Sequence, residues 1–405
     1  MRTTPTTTGR HRYDVAVVGA RAAGAATALL LARMGHDVLL LDAAFFPSDT
    51  ISTHQLARPG VVQLDRWGLL ADVLASGAPA IRDVSFTADG ETARRTVKDS
   101  AGVDLLVAPR RQVIDTLLVD AAVAAGAVLA SGVRVTDVRR DSSGRVVGVH
   151  GVDRAGELVS VSARFVIGAD GLTSRVAEAV AAPYAERRPD GGAVQYAYYA
   201  GVPWHGIELV VADRSLVGVF PTHDDQACIW VATPTADARE ARRGAGYRDE
   251  AFAAQLAQGA PELADRLRAG RKVSPVTGVL RMPNHLRQAY GPGWALVGDA
   301  GYHRDAITGH GMSDAYRDAE LLAVAVDDVL CGDAGERSAL AGYQDQRDRA
   351  LREVFDITCA MSAYPSVPEF VELQKQLGRA MDAEANELAG WPVPGEPPVA
   401  RLQSA

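Results

Sequence analysis

Cysteine, lysine and long apolar runs are all scarce in this 405-residue chain. Cys228, Cys331 and Cys359 stand far apart, with no CxxC pair, which excludes a disulfide framework and a thiolate zinc site. Isolated thiols suit a reducing compartment, so a cytoplasmic location is expected. Lysine occurs only at Lys98, Lys272 and Lys375, and the formal net charge is −8, which argues against nucleic acid as a partner. No stretch reaches the roughly 18 apolar residues that a membrane helix needs, so no integral membrane segment is expected. The opening MRTTPTTTGRHR carries charge without a following signal pattern and reads as a frayed tail. Glycine, by contrast, is plentiful at 39 residues, and the length favours two closely packed domains.

The glycines concentrate where they carry chemistry. Val15–Val18 is an unbroken apolar run, as a buried parallel strand should be. Gly19 makes the turn, Gly24 lets a helix pack against the strand, Gly35 ends that helix, and Val38–Leu41 is a second strand ending on Asp42. This βαβ unit, with an acid about 20 residues past the glycines, has the form of a dinucleotide site. Gly19, Ala20, Arg21, Ala22, Ala23 and Gly24 would cradle a pyrophosphate at the helix N-terminus, and Asp42 would bond the ribose hydroxyls. Arg21 stands where a second glycine is usual, but an outward guanidinium can still help neutralise phosphate. An acid at position 42 argues against a 2′-phosphate, leaving FAD or NAD.

Two later segments narrow the choice. FVIGADGLTS (165–174) ends a strand on Asp170-Gly171, and WALVGDAGYHRDAITGHGM (294–312) runs a strand into Gly298-Asp299. A carboxylate at that point can accept from a polyol or cap a helix. A helix is then expected over Ser313–Leu330, its positive end facing the pyrimidine edge of a flavin.

With PRRQVIDTLL, in which Arg111 and Asp115 form an R-x-x-x-D helix start, these segments resemble the FAD-dependent monooxygenases and oxidoreductases typified by p-hydroxybenzoate hydroxylase. That group includes geranylgeranyl reductases and flavin halogenases, and the resemblance spans about residues 13–330. It implies FAD held by Gly19–Gly24, Asp42, Arg111, Val135, Asp170, Gly171, Asp299, Gly309, Gly311 and Met312. It also implies NAD(P)H as a transient reductant visiting the same cleft, because no further βαβ unit is present. The chain departs from the group's pattern at Ala306, usually proline, and at His310, often glutamine. His310 would either tune the charge of the ring or face solvent.

The fold implied is α/β: a Rossmann-like FAD-binding domain (13–75, 109–180, 286–330) interleaved with an antiparallel-sheet substrate domain (76–108, 181–285), then C-terminal helices and a tail (331–405). In the middle, AVQYAYYAGV places Tyr196 and Tyr198 on one strand face and Tyr199 on the other, residues 207–220 read as a hairpin turning at Ala212–Ser215, and 247–270 as one amphipathic helix. Tyr196, Tyr198, Phe220 and Trp230 are core residues or line a substrate pocket. Ser52, Thr53 and His54 follow the ribose acid and either approach the ring or cap a helix over Gln55–Leu64. His54, His223 and Asp305 are the available acid–base groups, and no metal-ligand cluster is evident. One or two helices should run from about 335 through Met361, with a proline-rich strap after Trp391.

The expected activity is FAD-dependent monooxygenation with NAD(P)H and O₂, hydroxylating or epoxidising a small aromatic or polyketide-like molecule. The alternative is reduction or dehydrogenation at C=C bonds. A halogenase fits less well, since no two tryptophans are closely spaced and no lysine falls in the early cofactor segments. Oligomeric state is left open.

Overall fold

Three strands set the architecture: β1 (Arg12–Val18), β2 (Val38–Asp42) and β3 (Leu158–Gly168). In the computed structural model, which describes residues 12–245 and 248–395, β1 pairs in parallel with β2 and with β3. Strand Trp294–Leu296 adds in parallel to the far side of β3, and Val128–Ser131 extends the sheet beyond β2. Register aligns Val18 with Leu41 and with Gly168, and Gly168 with Leu296. The next residues, Gly19, Asp170-Gly171 and Gly298-Asp299, therefore leave the same edge side by side. That is the carboxyl end of a parallel sheet, where ligands bind in such folds.

Helix α1 (Ala22–Arg33) is buried throughout except at its last residue. Its alanines let it lie close between the sheet and two partners, α3 (Arg111–Ala124) and α4 (Gly311–Cys331). Two glycines are compelled here. Gly19 has φ +99° and a Cβ would stand 2.4 Å from the Ala169 carbonyl oxygen, while a Cβ on Gly24 would stand 1.8 Å from the Gly19 carbonyl oxygen.

The second sheet carries β4 (Ala193–Ala200), β5 (Ile207–Ala212), β6 (Ser215–Pro221) and β7 (Gln226–Thr233), in the order β4-β7-β6-β5, continued by Asp83–Ala88 and Glu91–Thr96. The hairpin turn falls at Asp213-Arg214, as the sequence suggested. Tyr199, Val217 and Ile229 face one way, toward Phe252 and Leu256. Tyr196, Tyr198, Phe220 and Trp230 face the other. That second face meets the C-terminal helices α5 (Glu336–Met361) and α6 (Val367–Ala389), through Val354, Met361 and Phe370.

Several expected boundaries are corrected. Helix α2 spans Arg58–Arg66 rather than 55–64, because Pro59 sits in its first turn, where a missing N–H costs nothing. Ser52 and Thr53 therefore do not cap it. The expected helix 247–270 is two, Arg248–Gly259 and Pro261–Leu267, broken where Pro261 cannot donate to the preceding turn. Tyr247, the opening tail and the strap beyond residue 395 lie outside the described residues. Helix α6 was not foreseen. Among the described residues no helix is long and apolar enough to cross a membrane.

Candidate active site

A cavity of about 700 Å³ runs along the carboxyl edge of the first sheet and under the second. Its nucleotide end lies at the turn between β1 and α1. Gly19, Arg21, Ala22, Ala23, Asp42 and Val135 line it, and α1 has no acidic residue in its first turn to compete with an anion. The Ala20 and Ala44 N–H groups each donate to one Asp42 oxygen at 2.7 Å, which fixes the carboxylate and leaves its other lone pairs for a ribose. Ala20 thus acts through Asp42, and Gly24 through the fit of α1 against the strand turn.

Arg21 turns toward α3 and the loop at Ser48 and Asp49, and it is clamped. Its guanidinium bonds Asp115 at 3.0 Å and the Ser48 hydroxyl at 3.1 Å. Asp115 is fully buried and also holds Arg111 through two contacts of 3.0 Å, so one carboxylate positions two cavity-lining cations. Midway along, the Asp170 side chain closes its own loop. It accepts from the Ser174 hydroxyl at 2.5 Å and from the N–H groups of Arg175 and Val176, while the loop backbone through Gly171 faces the cavity. Asp299 is exposed to the cavity.

The ring end is assembled from Thr50–Gln55, the second sheet and the loop into α4. Gly309 is left-handed at φ +62°, and Gly311 and Met312 form the first turn of α4. His54 is buried, also left-handed at φ +68°, and lines the cavity. Backbone strain in a non-glycine residue of this kind clusters at functional sites. Its Nε2 bonds the Tyr198 hydroxyl, and its Nδ1 has no partner. Burial lowers its pKa to about 3 despite the opposing charge of Asp49, so the imidazole is neutral. Asp305 is buried too and belongs to the same lining. It accepts from the Gly192 and Ile307 N–H groups at 2.6 and 2.8 Å, and burial raises its pKa to about 6.

Of the expected substrate contacts, Tyr196 lines the cavity, its hydroxyl accepting from the Ser52 N–H at 3.2 Å. Tyr198 stands one layer back, behind His54 and under the Arg110 guanidinium at 3.8 Å. Phe220 and Trp230 pack on each other, ring centroids 5.3 Å apart, in the core shared with α5 and α6, and do not line the cavity. His223 is also placed elsewhere: its Nε2 meets the Ser76 hydroxyl at 3.0 Å, and its Nδ1 accepts from the Arg110 N–H at 3.3 Å.

His310 does not face solvent. Its ring is buried at the N-terminus of α4, Nε2 bonds Glu384 of α6 at 2.7 Å, and Nδ1 is unpartnered. Sequence reasoning missed Glu384, although the apolar periodicity of 367–389, with proline at its start and glycine after its end, announced the helix. His310, Asp314 and Glu384 lie close enough to hold a metal ion, as do His36, Asp327 and Cys331. In the first group a cation would have to displace Arg317, which already bonds both carboxylates.

The residues fit FAD. At Gly171 and Gly311, both on the cavity wall, a Cβ would meet no atom within 4 Å, so the wall is open where a ligand backbone must approach. His310 Nδ1 is a buried polar atom with no hydrogen-bond partner among the described residues, next to the cavity lining.

Comparison with known proteins agrees. The pattern of the FAD binding domain family matches residues 12–358. A digeranylgeranylglycerophospholipid reductase of Methanopyrus kandleri is 30% identical over 375 residues, covering 88% of this chain and 91% of that protein. A kynurenine 3-monooxygenase of Salinispora arenicola is 27% identical over 418 residues, covering 94% and 85%. The flavin-dependent brominase Bmp2 shares the fold, with a TM-score of 0.80, 20% identity, and coverage of 95% of this chain and 96% of that one. A parallel sheet whose carboxyl edge gathers all three glycine-marked loops into one cavity, and a family match over most of the chain, place this protein in the FAD binding domain family of flavoprotein oxidoreductases.

Proposed function

We propose that the chain is an FAD-dependent monooxygenase that uses NAD(P)H and O₂ to oxygenate a small aromatic or similarly compact molecule. The observation that carries this reading is the lining of the cavity. Beyond the glycine-marked loops the lining brings Val194, Tyr196, Val279, Met282 and Ala306 together with the polar Arg281, His303 and Asp305. Apolar and aromatic walls with a few polar groups suit a compact ring system. Bound there, FAD would supply hydride acceptance from NAD(P)H and activation of O₂.

The protein's own part is binding, orientation, dryness and proton handling. Val194, Tyr196, Val279, Met282 and Ala306 limit water at that part of the lining, where water would divert the oxidant to peroxide. Neutral His54 offers Nδ1 to a substrate hydroxyl, with the Tyr198 hydroxyl on its other nitrogen to fix its tautomer. Asp305, whose pKa of about 6 is close to neutrality, can take or return a proton elsewhere in the lining. Arg111 and Arg21, held by Asp115, face the cofactor's charge, and Asp299 receives its polyol chain.

The identity of 30% to a reductase favours a second reading, hydride transfer to a C=C bond. The test is turnover of the holoenzyme with NADH or NADPH against small phenols and against a polyprenyl substrate. Oxygen-dependent NAD(P)H consumption with ¹⁸O from ¹⁸O₂ in a phenolic product is the expected result. Anaerobic turnover of the polyprenyl substrate alone would overturn the monooxygenase reading.

A further inference from the structure

Behind the ring end of the cavity lies an ionic cluster that the proposed reaction does not use. Asp314 accepts from Arg304 at 2.6 Å, from Arg317 at 3.0 Å and from the Tyr302 hydroxyl at 3.0 Å. Arg317 also bonds Asp318 at 2.8 Å and Glu384 at 2.7 Å. Thr358 of α5 accepts from Arg304 at 3.0 Å. The other Glu384 oxygen meets His310 Nε2 at 2.7 Å, and Asp314 lies 3.7 Å from that nitrogen. Arg347, which faces Asp318, is matched by Asp348 at 2.6 Å.

The charge count is uneven without His310. Asp314, Asp318 and Glu384 are three carboxylates, and Arg304 and Arg317 are two guanidiniums. Glu384 is 13% exposed and the others 4% or less, so water cannot absorb the difference. Above pH 6, where Asp318 with its pKa of about 6 is ionised, the set is neutral when His310 carries the remaining positive charge. Burial works against charge on Glu384, yet its neighbours His310 and Arg317 hold its pKa below the ordinary value. His310 belongs to the cavity lining, its ring buried directly behind the wall at the N-terminus of α4, where free N–H groups already favour an anion.

We infer that Glu384 is a positioning residue for the flavin: from helix α6 it holds His310 as a cation, which stabilises the negative charge that reduction places on the ring. The inference rests on the placing of the ring at Gly309–Met312 made above. It gives the C-terminal helix, remote in sequence from every cofactor segment, a part in setting how readily the flavin is reduced.

Sulfite addition to the oxidised flavin tests this. It reads positive charge near the ring as loss of yellow absorption, and needs neither substrate nor O₂. Glu384→Gln keeps the shape and removes the charge. The holoenzyme variant is expected to bind sulfite about tenfold more weakly than wild type and to show a more negative reduction midpoint. Glu384→Asp should restore most of the affinity. Mere removal of a nearby negative charge, with no effect on His310, predicts the opposite sign, so tighter sulfite binding or no change overturns the inference. His310→Gln gives a second measurement should Glu384→Gln retain no FAD, and sulfite affinity equal to wild type in that variant also overturns it. Failure of the monooxygenase reading would look different: the sulfite series would hold while ¹⁸O incorporation was absent.

Discussion

At the nucleotide end of the cavity, the lining is carried by loops that follow directly from buried strands. At the ring end it is drawn from Thr50–Gln55, β4, the 302–312 loop and, through Glu384, α6. The first end is fixed by sheet register and close packing. The second is fixed by burial of polar groups against one another. A change at the nucleotide end should therefore act through sterics and cofactor affinity, and a change at the ring end through protonation and turnover.

The largest effect is expected from Gly24→Val, because a Cβ there falls 1.8 Å from the Gly19 oxygen and neither backbone can retreat. The protein should fail to accumulate in soluble, yellow form, as judged by absorbance of the purified fraction. Wild-type FAD content would break the claim that packing governs this end. Asp115→Ala comes next. It leaves Arg21 and Arg111 without their shared buried partner, and removal of one member of such a set costs about 3–5 kcal/mol. Urea unfolding should show that loss, and FAD should be lost with it.

Asp42→Ala and Asp299→Ala sharpen the comparison along the cofactor itself. Each removes a charged acceptor, worth about 2 kcal/mol, or roughly 30-fold in FAD dissociation constant. Asp299→Ala should give largely colourless protein while its melting temperature in excess FAD stays near wild type. Asp42→Ala should also lower the melting temperature of the apoprotein, because the Ala20 and Ala44 N–H groups lose their acceptor. If the two variants behave alike without FAD, Asp42 is not the anchor of its turn.

This division also decided what could be read from the sequence. The βαβ unit, the three loops and the strand faces follow from apolar runs, glycines and alternation, all local signals. Arg21 reads from the sequence as an outward guanidinium, and its clamp could not be seen, because Asp115 lies 94 residues away. The His54–Tyr198 pair spans 144 residues, and His310–Glu384 spans 74. No local pattern encodes such meetings. Phe220 and Trp230 were drawn into the expected pocket because alternation gives the face of a strand, not what covers it. Here α5 and α6 cover it.

The smallest effect expected is a difference in pH dependence between two buried groups of the cavity lining, His54 and Asp305. His54 takes up a proton near pH 6.5 when unfolded, but near 3 when folded. Between those values the unfolded state binds more protons, so this residue makes stability fall as acid is added. Asp305 has the opposite sign. Its folded pKa of about 6 exceeds the ordinary 3.8, so the folded state binds more protons in that window, and stability falls as pH rises through it. The two slopes oppose each other between about pH 4 and 6. Asn at position 54 should therefore flatten the acid side of a melting-temperature profile, and Asn at 305 should steepen it. Because Asp318 is also raised to about 6 and His285 lowered to about 4, the difference from wild type, rather than the profile itself, is the quantity to compare. Should both substitutions move the profile in the same direction, His54 and Asp305 are not buried with opposite charge preferences.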